Sequence, residues 1–143
     1  MAEFIDAPAL KTWINDSEEL ALLDVREAGQ FGEDHMLHAI QCPYSIIETR
    51  APLLAPRSSV RVALVDAADG TAQKAARRLE GMGYTHISIL EGGNAAWAAA
   101  GYEVFQGVNV PSKAFGEVVE HTADTPRIPA EELHAMMEAG ENM

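Results

Sequence analysis

Cysteine is all but missing from this chain: among 143 residues Cys42 is the only one. A single thiol excludes an internal disulfide and the small secreted scaffolds that depend on several, so a cytoplasmic setting is expected. Basic residues are also scarce. Ten Lys and Arg stand against 22 Asp and Glu, a formal net charge of −12. Nucleic acid, whose phosphates need clustered Lys and Arg, is therefore not expected as a partner. The same imbalance gives an anionic substrate no long-range steering, although backbone N–H groups can still form a local anion site. No apolar run nears the roughly 18 residues of a membrane-spanning helix, and no membrane partner is expected. The opening, MAEFIDAPAL, has neither a basic start nor a long apolar stretch, so no secretory leader is predicted.

What is present is enough for a core. Hydrophobic residues make up 48% of the chain, and the length suits one domain with some remainder. Leu10, Trp13 and Ile14 give helical spacing after Asp6 and Pro8, a cap and a first turn. Leu20 to Val25 has the length and composition of a buried strand. A short strand over Ala39 to Cys42 stops at Pro43, and Ser45 can open a helix to about Leu54. Val60 to Val65 is the next strand. Ala72, Ala75, Ala76, Leu79 and Met82 then repeat at helical spacing, with Gly83 closing the helix. Ile87 to Leu90 is a further strand, and Ala95 to Ala100 a last helix before Gly101. Strands alternating with helices predict an α/β fold, a central parallel sheet with helices on both faces.

The motifs that carry chemistry lie in LLDVREAGQF with His35 after it, in the Tyr44 region, in VALVD followed by AADGTAQ, and in LEGGNAAWAAAGY. In that order they resemble the rhodanese-like sulfurtransferases, over roughly Ile5 to Val104. The resemblance implies a loop after the central strand that wraps a thiosulfate or persulfide, with a nucleophilic cysteine first. Counting back from Ala75-Ala76 and Gly83-Tyr84, that position holds Asp66. The binding loop is then Asp66, Ala67, Ala68, Asp69, Gly70, Thr71 and Ala72, with no cysteine, arginine or lysine before Lys74. A carboxylate cannot hold a persulfide, and Asp66 and Asp69 repel an anionic donor. No catalytic residue is assigned.

Asp66 has three readings. Its carboxylate can take the loop's own N–H groups and cap the next helix. With Asp69 it can hold a divalent cation, and at a strand end it can accept a phosphoryl group; Asp24, ending another strand, can lie close. Supporting carboxylates are too few, and neither metal nor cofactor is assigned. The resemblance makes Asp24 and Arg26, with Glu27, a brace for the loop and nearby backbone. Glu33, Asp34, His35 and His38 invite a zinc reading, but four polar residues in one turn are more often surface. Asp34, Leu37 and His38 also depart from the family's usual turn. Cys42 reads as a small buried hydrophobe. Gly92 and Gly93 are a backbone requirement, and Trp97 is packing.

Beyond Val104 the chain turns polar, with Pro111, Pro126 and Pro129. Residues 1–105 are expected as the rhodanese-like domain and 106–127 as a linker or extension. Ile5, Ala7, Leu10, Trp13 and Ile14 recur as Ile128, Ala130, Leu133, Met136 and Met137, at an offset of 123. Residues 128–143 are therefore expected to start a second rhodanese-like domain that continues beyond Met143. The expected role is a non-catalytic module, the N-terminal part of a larger sulfurtransferase whose cysteine lies in another domain. The expected partners are adjacent domains of the same chain, with self-association open. The alternative is a stand-alone binding or sensor module that uses the Asp66 loop for an ion or small ligand.

Overall fold

The computed structural model describes residues 1–124 and 126–140. Five strands form one parallel sheet: β1 (Glu3–Ile5), β2 (Leu20–Asp24), β3 (Ile40–Gln41), β4 (Arg61–Val65) and β5 (His86–Leu90). Their spatial order is β1-β5-β4-β2-β3, so the two apolar strands β2 and β4 lie inside. Leu20 pairs with Arg61 and Asp24 with Val65, which brings the carboxyl ends of β2 and β4 level.

Helices cover both faces. They are α1 (Ala7–Asn15), α2 (Ala28–Glu33), α3 (Ile47–Leu54), α4 (Thr71–Gly81) and α5 (Gly93–Ala99), with a 3-10 turn over Tyr44–Ile46 before α3. Strand alternation sorts the core into two clusters. Leu23, Val62, Leu64, Ile87 and Ile89 point to the face covered by α3 and α4. Leu22, Ala63, Val65 and Leu90 point to the face covered by α1, α2 and α5. The α4 stripe Ala72, Ala75, Ala76 and Leu79 is buried, small enough for the helix to lie close to the sheet. Asp6 caps α1: its Oδ1 accepts from the Ala9 N–H at 2.8 Å, and a proline follows in the first turn. The expected α/β fold, a parallel sheet between two helical layers, is what forms.

Two elements depart from the sequence reading. β1 is a three-residue edge strand, too short and too exposed to leave a periodic signal. Its pairing with β5, Phe4 opposite Ile89, makes it visible only in three dimensions. A helix, α6 (Val110–Thr122), occupies much of the stretch read as linker. Pro111 lies in its first turn, where its missing N–H costs nothing. The last helix, α7 (Ala130–Glu138), has the bounds of α1 shifted by 123 residues. Among the described residues no helix is long and apolar enough to cross a membrane.

The chain divides into two compact units, Met1–Val110 and a second beginning at Pro111. Both buried clusters draw their buried members from the first unit alone, between Ala7 and Trp97. A fragment ending at Val110 should therefore unfold cooperatively at the same urea midpoint as the whole chain. A large drop in that midpoint would show that the sheet needs the second unit.

Candidate functional site

Asp66 follows β4 directly and is 3% exposed. Its Oδ1 accepts from the Ala68 N–H at 2.8 Å and its Oδ2 from the Ala72 N–H at 2.9 Å. The loop is shaped for this. Ala68 has φ 58° and Gly70 φ 88°, two left-handed residues that turn backbone N–H groups inward. Glycine bears this freely, whereas an alanine there costs about 1–2 kcal/mol. The charge-assisted bond from Ala68 to Asp66 offsets that cost. Gly70, at the N-cap of α4, has no side chain to cap it. Asp66 caps the helix instead, from six residues upstream. Asp69 adds a second carboxylate, Oδ1 accepting from the Thr71 N–H at 3.1 Å. Hydrogen bonding with Thr71, helped by the nearby Lys74 charge, holds the Asp69 carboxyl below its usual range. Three N–H groups of the loop, on Ala68, Thr71 and Ala72, are thus held by the loop's own carboxylates.

The Gly92-Gly93 turn supports the base of the loop. Gly93 has φ 63°, and a Cβ there would lie 2.3 Å from the Asp66 carbonyl oxygen and 2.9 Å from the Ala68 nitrogen. Only a residue without a side chain lets α5 approach so closely. The Asn94 N–H donates to the Asp66 carbonyl at 2.9 Å, tying the start of α5 to the loop. Asn94 is itself buried, and among the described residues neither of its side-chain polar atoms has a partner.

Asp24 and Arg26 form a separate cluster at the end of β2. Asp24 is fully buried and Arg26 is 6% exposed. The guanidinium donates from Nε at 3.0 Å to Oδ1 and from Nη2 at 2.8 Å to Oδ2 of Asp24. Its Nη1 donates to Asp34 Oδ1 at 3.1 Å, and Nη2 also reaches the Asp34 carbonyl. Among the described residues, the hydrogen bonds of Arg26 go to Asp24 and Asp34, while the Asp66 carboxylate bonds only within its loop. The link between the clusters is backbone: the Val25 N–H donates to the Val65 carbonyl at 2.9 Å. Glu27 ties the 3-10 turn to this region by accepting from the Ser45 hydroxyl at 3.0 Å.

His35 is buried. Its Nδ1 lies 3.0 Å from the Phe31 carbonyl, and its ring stacks on Phe31 at 3.9 Å. Among the described residues no three His, Cys, Asp or Glu side chains converge as a metal site would require. Cys42 is fully buried, and burial pushes its thiol up to about 11. A thiol so placed stays protonated at neutral pH and is no nucleophile. Trp97 packs on Tyr102 and donates Nε1–H to the Glu103 carbonyl at 3.0 Å.

A strand that ends in a tight loop feeding α4, with a Gly-Gly turn packed against it, places a helix N-terminus at the carboxyl edge of the sheet. The model of the rhodanese-like domain matches residues 6–100. The chain belongs to the rhodanese-like family. Among solved structures, it is similar to a thiosulfate sulfurtransferase from Pseudomonas aeruginosa, at 39% identity and a TM-score of 0.88. That likeness covers 97% of this chain and 26% of the other, so the chain spans about a quarter of that protein's length. The Alr3790 protein from Anabaena sp. is similar at 27% identity, with a TM-score of 0.68, over 78% of this chain and 99% of that one. A rhodanese-related protein from Thermoplasma volcanium shares the fold at 23% identity, with a TM-score of 0.61, over 72% and 97%. None of the curated proteins matches.

Within this rhodanese-like domain, the sequence reading did not foresee two contributors. Asp34 was noted as a departure from the family's usual turn and as one of four residues that invite a zinc reading, yet it is the second acceptor for Arg26. An acid eight residues after a buried arginine, across a helical turn, was the available signal. The contact of Gly93 with Asp66 had none, because it joins residues brought together by the sheet.

Two outcomes follow from this geometry. Gly93→Ala should lower urea stability by about 2–4 kcal/mol, since something must move to admit the methyl group. Gly81→Ala, where a Cβ meets open space, should leave stability level or raise it by up to about 1 kcal/mol. Equal effects at both sites would contradict the close approach. The second outcome concerns Cys42. The unfolded thiol ionises near its ordinary 9.0 and the folded one near about 11. The unfolded chain releases this proton first, so the Cys42 contribution is full below pH 9 and lost as pH rises to 11. Stability measured by denaturation should fall less steeply over that window in Cys42→Ala than in the parent.

Proposed function

We propose that this rhodanese-like domain is non-catalytic and works as a module of a larger sulfurtransferase, whose sulfur-carrying cysteine lies in another domain. The observation that carries this is Asp66. It stands where the family resemblance puts the nucleophile, and its carboxylate fills the loop and takes the Ala68 and Ala72 N–H groups. A carboxylate cannot form a persulfide. Its charge, with that of Asp69, opposes any anionic sulfur donor, and the loop has no arginine to reverse this. The buried thiol of Cys42 offers no substitute.

A neighbouring domain of the same chain is the proposed partner. The likeness to a quarter of a thiosulfate sulfurtransferase supports it. So does α7, which repeats α1 in length and in its Ile-x-Ala entry, Ile128 before Ala130 as Ile5 before Ala7. In this reading residues 128 onward begin a second rhodanese-like domain. Phe115, Val118 and Met137 stay exposed on the second unit, apolar surface of the kind an adjoining domain covers. The role of the module is then to supply an interface and to shape or steady the partner's cleft. A cytoplasmic location accords with the lone, buried thiol.

The purified chain should give no thiocyanate above background from thiosulfate and cyanide. Asp66→Cys alone should restore little, because Asp69 stays beside the new thiolate and raises its pKa. Adding Thr71→Arg with Asp69→Ser should raise the rate further than either change alone. Turnover by the unmodified chain, abolished in Cys42→Ser, would overturn the proposal.

A further inference from the structure

Lys74, Arg77, Arg78 and Gly81 share the face of α4 opposite its buried alanine stripe. With Tyr44, Glu48 and Met82 they line a cleft of about 550 Å³ between α4 and the segment that carries the 3-10 turn and α3. On α4 the cleft begins at Lys74, two residues beyond the Asp66 loop, and runs toward the end of the helix at Gly81. It holds three of the ten basic residues of a chain whose net charge is −12. Elsewhere the basic side chains are mostly committed: Arg26, Arg57, Arg61 and Arg127 each hold a carboxylate. Lys74 and Arg77 form no ion pair among the described residues. Arg78 is held by Glu48 at 2.7 Å, a pair more than half exposed on both sides and therefore easily exchanged.

We propose that this cleft is a binding site for a small oligo-anion of the polyphosphate type. Three cations spread over one helical turn, roughly 6 Å along the axis, exceed what a single anionic group can meet. A ligand with linked phosphates meets all three, the two guanidinium forks taking phosphate oxygens in pairs and the lysine acting as a point charge. The volume lies within the range of small-ligand sites, and Gly81, which also lines the cleft, is exposed, with open space where a Cβ would lie. Tyr44 adds a hydroxyl and Met82 an apolar wall. Glu48 sets the threshold: a ligand must compete with it for Arg78, which an oligo-anion does and a lone monoanion does not. Lys74 lies near enough to Asp69 for its charge to be felt there, so the cleft adjoins the Asp66 loop, but the proposal does not depend on whether the domain is catalytic.

Calorimetric titration of the whole chain with inorganic tripolyphosphate, without divalent metal and at low ionic strength, is the test. One site with a dissociation constant below about 1 mM is expected, weakening severalfold as salt rises to about 0.15 M. Lys74→Glu and Arg77→Glu, both at exposed positions, should each weaken binding about tenfold. Gly81→Leu should abolish it without any change of charge, and Glu48→Gln should strengthen it. Circular dichroism of each variant should match the parent, and Lys113→Glu, outside the cleft, should bind as the parent does. No saturable binding, or equal affinity in the parent, Arg77→Glu and Gly81→Leu, would overturn the site. A poly-glutamate peptide that binds there more tightly than tripolyphosphate would overturn the ligand class in favour of an acidic protein segment.

Discussion

A carboxylate buried without a cation must find its hydrogen bonds in the backbone, and the site of this protein is arranged around that need. Asp66 takes N–H groups from Ala68 and Ala72. To present them, the chain holds Ala68 in a left-handed conformation and starts α4 at Gly70 without a capping side chain. The return of β5 into α5 must then pass within touching distance of the Asp66 carbonyl, which only Gly93 permits. Loop shape, helix start and Gly-Gly turn are thus one constraint met in three places. The same donors that would receive an external anion are satisfied from within.

The neighbouring strand solves the same problem differently. Asp24 ends β2 level with the end of β4 and is buried as deeply as Asp66, but a guanidinium meets it. Arg26 then has donors to spare, and Asp34 takes them, fixing the turn that carries His35. Removing either member of the buried Asp24–Arg26 pair strands a buried charge, typically at about 3–5 kcal/mol, while Asp34 is nearly half exposed and its loss costs less. The two solutions divide the labour at the sheet's carboxyl edge. One braces the scaffold with a cation, and the other closes the loop with backbone donors alone.

Much of the fold was legible because the inner strands are buried on both faces and α4 carries a clean small-residue stripe. LALLD and RVALV have no other stable use in a chain of this length. What escaped the sequence had no local signature. β1 exists only by pairing with β5, and α6 was hidden by a proline that starts helices as readily as it stops them. At the site, a helix-capping role for Asp66 was readable from its place at the end of the strand, and Thr71 and Ala72, read with the loop, form the first turn of α4. The Arg26–Asp34 bond and the Gly93 contact were not readable, since each joins segments that meet only after the sheet has formed. The basic face of α4 was written plainly as Lys74, Arg77 and Arg78. Against a net charge of −12 it was easy to pass over as a solvated surface.

The central claim is that the Asp66 carboxylate occupies the loop's anion-binding donors. The amide resonances of Ala68 and Ala72 report on those donors one at a time, so a thiosulfate titration followed by nuclear magnetic resonance tests the claim most directly. If the carboxylate holds both N–H groups, the two resonances stay in place as thiosulfate is added. A saturable, concerted shift of both in the unmodified chain would mean that the loop admits the anion after all, and would contradict the account.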